Sequence, residues 1–295
     1  SVLSKKYNVL ATVGNLNNHL GVPFTLLDLN ENHEIAIIEM GANHPGEIAE
    51  LCTIAEPTYG IITNIGKAHL EGFIDFNGVV KTKQELYNYL AQNNGVFFIN
   101  EDDPILTEIA PDNLKRIGYG KSKNKATTQQ LSESAYVSFS WSDDNLTSPL
   151  LKTNLIGDYN LDNFLAAITI GKEFDVPVDL INSAIESYSP TNNRSQIKKT
   201  KSNELIMDCY NANPTSMTLA IESFAKINVS NKVAIIGDMK ELGEDGTIEH
   251  QKIISLIEQL KIKAYTVGSE FYTLDSNSVI EKFKTTKNLM DYLSD

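Results

Sequence analysis

The strongest constraint on the fold is an alternation of short apolar runs with longer segments of helical periodicity. The runs that predict strands in the first half of the chain lie at residues 7–12, 35–40, 60–64, 95–100 and 116–119. Such alternation is typical of an α/β fold with a mostly parallel central sheet flanked by helices. Residues 126–155 are instead rich in Ser and Thr and alternate in polarity, which predicts a small antiparallel patch.

A turn-rich segment at residues 187–193 predicts a domain boundary. We therefore expect one domain over residues 1–187 and a second over residues 188–295. Further strands are predicted at 204–209, 232–237 and 263–267, so the second domain is expected to be a Rossmann-like α/β unit. A chain of 295 residues with 41% hydrophobic content is long enough to bury two cores.

Net charge and hydropathy argue against two kinds of binding partner, nucleic acid and membrane. The net charge of -13 and the pI of about 4.9 argue against binding of nucleic acid. No apolar run reaches the roughly 18 residues of a membrane span, so we expect no membrane insertion and a cytoplasmic location. The two cysteines, Cys52 and Cys209, lie in apolar contexts and are predicted to be buried free thiols.

Polar side chains stand at the ends of two predicted strands, where α/β enzymes keep their chemistry. Glu39 lies near the end of one strand, and the stretch Ile62-Thr-Asn-Ile-Gly-Lys-Ala-His-Leu70 brings Asn64 and His69 after another. Glu39 and His69 together form a plausible oxygen-and-nitrogen pair for a divalent metal. Taken singly, the carboxylate could cap a helix and the histidine could be packed in a core.

Lys83 occupies an unusual helical position. Val79, Lys83, Leu86, Tyr87 and Leu90 share one face by their spacing, so the lysine falls on the apolar side, whereas Lys81 does not. A snorkelling ammonium is one interpretation. The other is a desolvated amine whose lowered pKa makes it nucleophilic enough to react with carbon dioxide and form a carbamate.

These segments, together with Thr82-Lys83-Gln-Glu-Leu-Tyr87 and Asp208-Cys-Tyr-Asn-Ala-Asn-Pro214, resemble the Mur ligase family. The resemblance implies an ATP-dependent amide ligase of peptidoglycan precursor synthesis, acting through an acyl phosphate. Its implied substrates are UDP-MurNAc-tripeptide and D-alanyl-D-alanine. It also implies that Glu39, His69 and a carbamylated Lys83 bind Mg2+ and serve catalysis, and that the protein is a monomer.

The resemblance assigns further residues to the substrate. In Gly14-Asn-Leu-Asn-Asn18, the side chains of Asn17 and Asn18 could form a simple Asx turn. The family segment that they match lines the nucleotide-sugar cleft, so both are candidates for substrate binding. Asn43, His44 and Asn64 complete this set.

A third set is implied for the nucleotide. Asn160 and Asn163 begin a predicted helix and could be plain N-caps, but the resemblance gives Asn163 the recognition of adenine, with Asn160 three residues earlier. Arg194 would bind the ATP phosphates and Asp208 the ribose. The turn that follows supplies the remaining candidates, which are Tyr210, Asn211 and Asn213.

The chain departs from the family in two respects that bear on activity, one at each end. Gly120-Lys121-Ser122 is not a phosphate-binding loop, because that motif requires glycine where Lys115 stands. Family members carry a UDP-binding domain and a Gly-Lys-Thr loop before the matched segment, and a further strand and a Gly-Ser-Arg segment after it. We therefore expect a fragment, incomplete at both ends, that is inactive alone. Two alternatives remain open at this stage, another ligase of the Mur or folylpolyglutamate type and a non-catalytic nucleotide-binding remnant.

Overall fold

The computed structural model of the protein describes residues 1–67, 70–113, 115–129, 136–191, 193–277 and 280–294. The helices are α1 (Gly21–Leu27), α2 (Glu47–Ala55), α3 (Leu70–Phe73), α4 (Phe76–Gln92), α5 (Pro104–Ile109), α6 (Asn160–Glu173), α7 (Val178–Ser187), α8 (Pro214–Lys226), α9 (Gly246–Gln259), α10 (Ser269–Thr273) and α11 (Thr286–Ser294). The strands are β1 (Val9–Ala11), β2 (Ile35–Ile37), β3 (Tyr59–Ile61), β4 (Val96–Asn100), β5 (Lys115–Tyr119), β6 (Thr127–Thr128), β7 (Tyr136–Ser140), β8 (Leu151–Ile156), β9 (Gln196–Lys199), β10 (Glu204–Met207), β11 (Val233–Gly237), β12 (Lys263–Val267) and β13 (Ile280–Phe283).

The chain forms two compact units. Unit 1 comprises Ser1–Ile65, Asp75–Leu131 and Tyr136–Ser189, and unit 2 includes Gly66–Ile74 and Pro190–Asp295. The predicted boundary between domains after residue 187 stays a prediction. Among the described residues, no helix has the length and apolar character needed to cross a membrane.

Unit 1 contains the parallel strands and the antiparallel patch expected from the sequence. β1 pairs with β2 in parallel, β3, β4 and β5 form a second parallel set, and β6, β7 and β8 are antiparallel. Every residue of β4 is buried, which explains its continuous apolar run. The stacked rings of Phe139 and Phe164 join the antiparallel patch to α6 in the main core.

The local sequence determines where helix α4 of unit 1 begins and which of its faces is buried. Asp75 caps its start, because the Asp75 carboxylate accepts a hydrogen bond from the backbone N–H of Gly78 at 2.8 Å. Val79, Tyr87 and Leu90 are buried, whereas Lys81 is exposed. The predicted apolar face is therefore confirmed.

Unit 2 has a parallel sheet in the order β11, β12, β13 and a separate antiparallel hairpin of β9 and β10. The fold class predicted for the chain is confirmed by these two α/β units. One prediction was wrong: Cys52 is buried as expected, but Cys209 is exposed, because the chain has left β10 for a polar turn there.

Candidate functional site

The ends of β1 and β2 bring two candidate residues together in unit 1. The backbone N–H of Glu39 donates to the Thr12 hydroxyl at 2.9 Å, just beyond the ends of both strands. The Asn17 side-chain amide then donates to Glu39 Oε1 at 2.9 Å. Asn17 therefore orients the carboxylate that the sequence singles out as a metal ligand.

Gly41 permits this approach. Its backbone N–H donates to the Asn17 carbonyl at 2.7 Å. A Cβ on residue 41 would lie 2.9 Å from the Asn17 side-chain amide, closer than such atoms pack. Any larger residue would push Asn17 away from Glu39, so Gly41 is a positioning residue that the sequence reasoning missed.

Lys83 is half-buried on the apolar face of α4. Burial lowers the pKa of the Lys83 ammonium, and the nearby negative charge of Glu39 opposes that shift without cancelling it. The neutral amine is therefore easier to reach than in an exposed lysine. The neighbourhood of Glu39 and Lys83 is the chemically distinctive feature of unit 1.

The loop with Asn43 and His44 is held by carboxylates. Glu47 Oε2 accepts the backbone N–H groups of Asn43 at 2.6 Å and His44 at 3.0 Å. Burial alone would raise the pKa of the Glu47 carboxyl, but these hydrogen bonds and the His44 side chain lower it below its usual value. Asn43 and His44 both leave their side chains exposed.

Glu85 of α4 holds the start of α2 and is a second residue that the sequence reasoning missed. It accepts the backbone N–H of Gly46 at 2.8 Å and that of Ala49 at 2.9 Å. Gly46 precedes α2 with a φ of 91° and provides no capping side chain. The first backbone N–H groups of a helix need hydrogen-bond acceptors, and α2 has no capping side chain of its own. The uncapped start was therefore a signal that an acceptor comes from elsewhere in the chain.

The other substrate candidates differ in what their side chains already do. Asn18 Oδ1 accepts the N–H groups of Leu20 at 3.1 Å and Gly21 at 2.9 Å, so the Asn18 side chain forms the turn that opens α1. Asn64 is exposed after β3. His69 lies outside the described residues.

The adenine candidates at the start of α6 form a short relay. The buried Asn160 amide donates to the Ile156 carbonyl at 2.7 Å, which ties α6 to β8. The Asn163 amide donates to Asn160 Oδ1 at 3.3 Å, and Asn163 itself is exposed. Asn160 is thus a structural residue that orients Asn163.

In unit 2, Arg194 and Tyr210 lie against each other. The Arg194 guanidinium is 4.2 Å from the centre of the Tyr210 ring, within the range of a cation–π contact. Asp208 Oδ1 accepts the backbone N–H of Ser195 at 3.3 Å. The structure therefore brings Arg194, Asp208 and Tyr210 into one cluster of exposed side chains.

Asn211 and Asn213 shape the turn that leads into α8. Asn211 Oδ1 accepts the N–H of Ala212 at 2.9 Å. Asn213 forms a capping box with Ser216, in which Asn213 Oδ1 accepts the Ser216 N–H at 2.9 Å. Asn213 therefore fixes the start of the helix that follows Asp208.

The metal-ligand candidates of unit 1 offer oxygen donors. Among the described residues, no group of three or more His, Cys, Asp and Glu side chains has a metal-binding arrangement. Glu39 supplies carboxylate oxygens, and a carbamate on Lys83 would add further oxygen donors. Such hard donors fit Mg2+.

Comparison with known proteins matches almost the whole chain. Residues 1–171 match the family described as Mur ligase middle domain, and residues 193–293 match that described as Mur ligase, glutamate ligase domain. The UDP-N-acetylmuramoyl-tripeptide--D-alanyl-D-alanine ligase of Buchnera aphidicola subsp. Baizongia pistaciae is 34% identical over 278 residues, which cover 91% of this chain and 59% of that protein. The chain thus spans about three fifths of this curated relative.

Comparison with solved structures finds members of the same family. A crystal structure of MurF from Acinetobacter baumannii has a TM-score of 0.88 at 30% identity and covers 99% of this chain, which in turn covers 65% of it. The MurF ligase of Thermotoga maritima in complex with ADP has a TM-score of 0.87 at 25% identity, and the match covers 99% of this chain and 68% of that one.

Proposed function

This chain belongs to the Mur ligase family, and from that premise we propose that it carries part of an ATP-dependent ligase of peptidoglycan precursor synthesis. The proposed reaction joins D-alanyl-D-alanine to UDP-MurNAc-tripeptide. ATP phosphorylates the terminal carboxylate of the tripeptide, and the dipeptide amine attacks the acyl phosphate and displaces phosphate. A cytoplasmic, monomeric protein is part of the same proposal.

The observation that carries this proposal is the desolvated Lys83 beside Glu39. Its lowered pKa favours the neutral amine, which can add to dissolved carbon dioxide. A bond forms between Nζ and the carbon, and one proton leaves to solvent. The product is an anionic carbamate that presents oxygen atoms.

Glu39, His69 and the Lys83 carbamate are the residues that we propose hold Mg2+. When bound, the ion supplies positive charge that offsets the negative charge developing on phosphoryl oxygens. Asn17 contributes by fixing the Glu39 carboxylate through its 2.9 Å hydrogen bond. Asn17, Asn18, Asn43, His44 and Asn64 are proposed to face the nucleotide-sugar substrate, with Asn18 acting mainly through the turn before α1.

The residues that we propose for nucleotide binding include some in unit 1 and some in unit 2. In unit 1, the exposed amide of Asn163 is the proposed adenine contact, and Asn160 keeps it in place. In unit 2, Asp208 is proposed to accept a ribose hydroxyl and Arg194 to bind phosphate. The turn residues Tyr210, Asn211 and Asn213 are proposed to bind the nucleotide as well, with the Tyr210 ring against Arg194 and Asn213 at the cap of α8.

Carbamate chemistry provides the decisive test. The chain is incubated with 13C-bicarbonate, ADP and Mg2+, and the carbamate carbon is sought by 13C NMR. The signal is expected to vanish in Lys83→Met and to persist in Lys81→Met, because Lys81 is exposed on the same helix. A signal that survives in Lys83→Met removes the assignment.

Turnover adds a second readout, measured as substrate-dependent phosphate release by the gene product that carries this chain. Lys83→Met should lower turnover by at least roughly 10- to 100-fold, because the loss of a residue that only supports a metal's ligands already has that effect. Added short carboxylates should restore part of it, and Lys81→Met should have little effect. Full turnover in Lys83→Met would contradict the proposal.

Nucleotide binding is tested separately by calorimetry with ADP. Asn163→Ala and Asp208→Ala should each weaken affinity about two- to tenfold, the effect of one lost hydrogen bond. Asn203→Ala, in the turn between β9 and β10, is the control. Unchanged affinity in both variants would exclude these contacts.

A further inference from the structure

The backbone on both sides of Arg194, in unit 2, is left-handed. Asn193 has a φ of 56° and Ser195 a φ of 49°. Residues with a Cβ adopt this conformation at a cost, which is smaller for asparagine than for most others. They persist in it only where the surrounding structure holds them. The two residues therefore mark a position that other contacts of unit 2 keep in place.

Hydrogen bonds from the segment after β10 supply these contacts. The backbone N–H of Cys209 donates to the Asn193 carbonyl at 2.9 Å. The Asp208 carboxylate accepts the backbone N–H of Ser195, as described above. Both left-handed residues are therefore tied to the short segment that carries Asp208 and Tyr210.

The register of the hairpin formed by β9 and β10 shows what a regular backbone would do here. Met207 of β10 pairs with Gln196 of β9. A regular continuation of this ladder would set Arg194 opposite Cys209. Opposed residues share a face of a sheet and consecutive residues alternate, so Tyr210 would then lie on the other face from Arg194. The Arg194 guanidinium instead lies 4.2 Å from the centre of the Tyr210 ring, so the alternation is broken.

We propose that Asn193 is a positioning residue for Arg194. Its left-handed conformation, together with that of Ser195, turns the arginine onto Tyr210 and holds the guanidinium ready for a phosphate group. A guanidinium already held on an aromatic ring has less rotamer freedom to lose when its N–H groups bind an oxyanion. The inference rests on the proposed function for the phosphate, since that proposal gives Arg194 the phosphate contact.

Two substitutions of the exposed Asn193 separate its backbone conformation from its side chain. Asn193→Val disfavours the left-handed conformation, because a β-branched residue adopts it only as an outlier. Asn193→Gly also removes the amide, but glycine adopts this conformation freely. Asn94→Val is the matched control, because Asn94 is an exposed left-handed residue with a φ of 54° between α4 and β4 of unit 1.

Selective labelling measures the position of the guanidinium. Arg116 and Arg194 are the two arginines of the chain, so 15N-arginine gives two side-chain Nε–H signals, and Arg194→Lys identifies the one that it removes. Because the guanidinium lies over the Tyr210 ring, the ring current should shift the Arg194 proton signal upfield. Asn193→Val should move this signal toward its position in Tyr210→Leu. Asn193→Gly and Asn94→Val should leave it unchanged.

Inorganic pyrophosphate tests the phosphate contact without an adenine or a ribose. Titration with pyrophosphate should move the Arg194 signal to a saturating value. Asn193→Val should weaken this binding about fivefold, because only the molecules that keep the left-handed conformation present the guanidinium in place. Asn193→Gly should bind as the unsubstituted chain does.

Three results would overturn the inference: an unmoved Arg194 signal in Asn193→Val, an equal shift in Asn193→Gly or Asn94→Val, or an unaltered pyrophosphate affinity in Asn193→Val. Failure of the proposed function looks different. If pyrophosphate does not move the Arg194 signal of the unsubstituted chain, the proposed phosphate contact fails. The upfield shift and its loss in Asn193→Val then decide alone whether Asn193 holds the guanidinium.

Discussion

Replacing Glu85 with alanine should loosen the start of α2 and the loop that carries Asn43 and His44. Glu85 accepts two backbone N–H groups, from Gly46 at 2.8 Å and from Ala49 at 2.9 Å. The first N–H groups of a helix have no partner within the helix, and Gly46 has no side chain to serve them. Glu85→Ala leaves both donors to solvent.

The size of the effect follows from these two contacts. A hydrogen bond to a charged group contributes about 1.5–3 kcal/mol, and the lower end applies because this side chain is only half-buried. The attraction of a carboxylate to a helix N-terminus, about 0.3–1 kcal/mol, overlaps with these bonds. We therefore expect unit 1 to lose roughly 2–3 kcal/mol, and Glu85→Gln, which keeps one acceptor, to lose about half of that.

Amide hydrogen exchange of residues 43–52 is the direct assay, since a global transition of a chain with two units is not a two-state process. The control is Glu50→Ala, which removes one negative charge from the first turn of α2 at an exposed position. Exchange in Glu85→Ala should accelerate at least tenfold more than in the control. Equal acceleration in the two variants would refute the reasoning, because net charge and not capping would then explain the change.

Three further predictions concern single side chains. Asn213→Ala should cost the capping box of α8 about 1 kcal/mol, measured by amide hydrogen exchange in the first turn of α8 against Asn211→Ala. Burial alone would raise the pKa of Glu249, but Lys252 and Lys67 lower it below the ordinary value of 4.5. The Glu249 carboxylate therefore stabilises the fold fully above pH 4.5, and this stabilisation is lost as the pH falls below that value. Glu249→Gln should flatten this acid-side loss of stability in thermal melts. Asn17→Asp replaces the donor to Glu39 with a like charge, so the backbone amides around residue 17 should exchange faster than in the original chain, measured by hydrogen exchange.

The regular part of the fold could be predicted because periodicity is a local property of the sequence. β4 and α4 were found from a continuous apolar run and from apolar residues at helical spacing. The same spacing placed Lys83 on the inner face and Lys81 outside, and the structure agrees. Helical phase placed Lys83 on that face but left a snorkelling ammonium open, and the resemblance to the Mur ligases favoured the desolvated amine.

Two strands of unit 2 could not be found in this way. β9 has the sequence Gln-Ile-Lys-Lys, with no apolar run, and is defined by its antiparallel pairing with β10. β13 was missed as well, because its register with β12 is set by tertiary packing. Pairing between strands is non-local, so neither polar composition nor alternation within four residues could identify them.

The contacts that orient the candidate site were also hidden from the sequence. Asn17 and Glu39 are 22 residues apart, and Glu85 and Gly46 are 39 apart. Such contacts depend on how strand ends and helices pack, which residue spacing does not encode. Gly41 belongs with them, since its lack of a side chain matters only once Asn17 is placed beside it.

The asparagines illustrate how structural and chemical roles separate. The side-chain oxygens of Asn18 and Asn213 accept hydrogen bonds from backbone N–H groups at helix starts. Asn160 is buried, and its side-chain amide donates to a strand carbonyl. Asn163 differs, because its amide donates to another asparagine side chain and the residue remains exposed. A side chain already committed to the backbone gains little by binding a ligand, since it must first give up that hydrogen bond. We therefore propose Asn163 and not Asn160 as the adenine contact, and substitution of Asn160 should act on binding through the position of its neighbour.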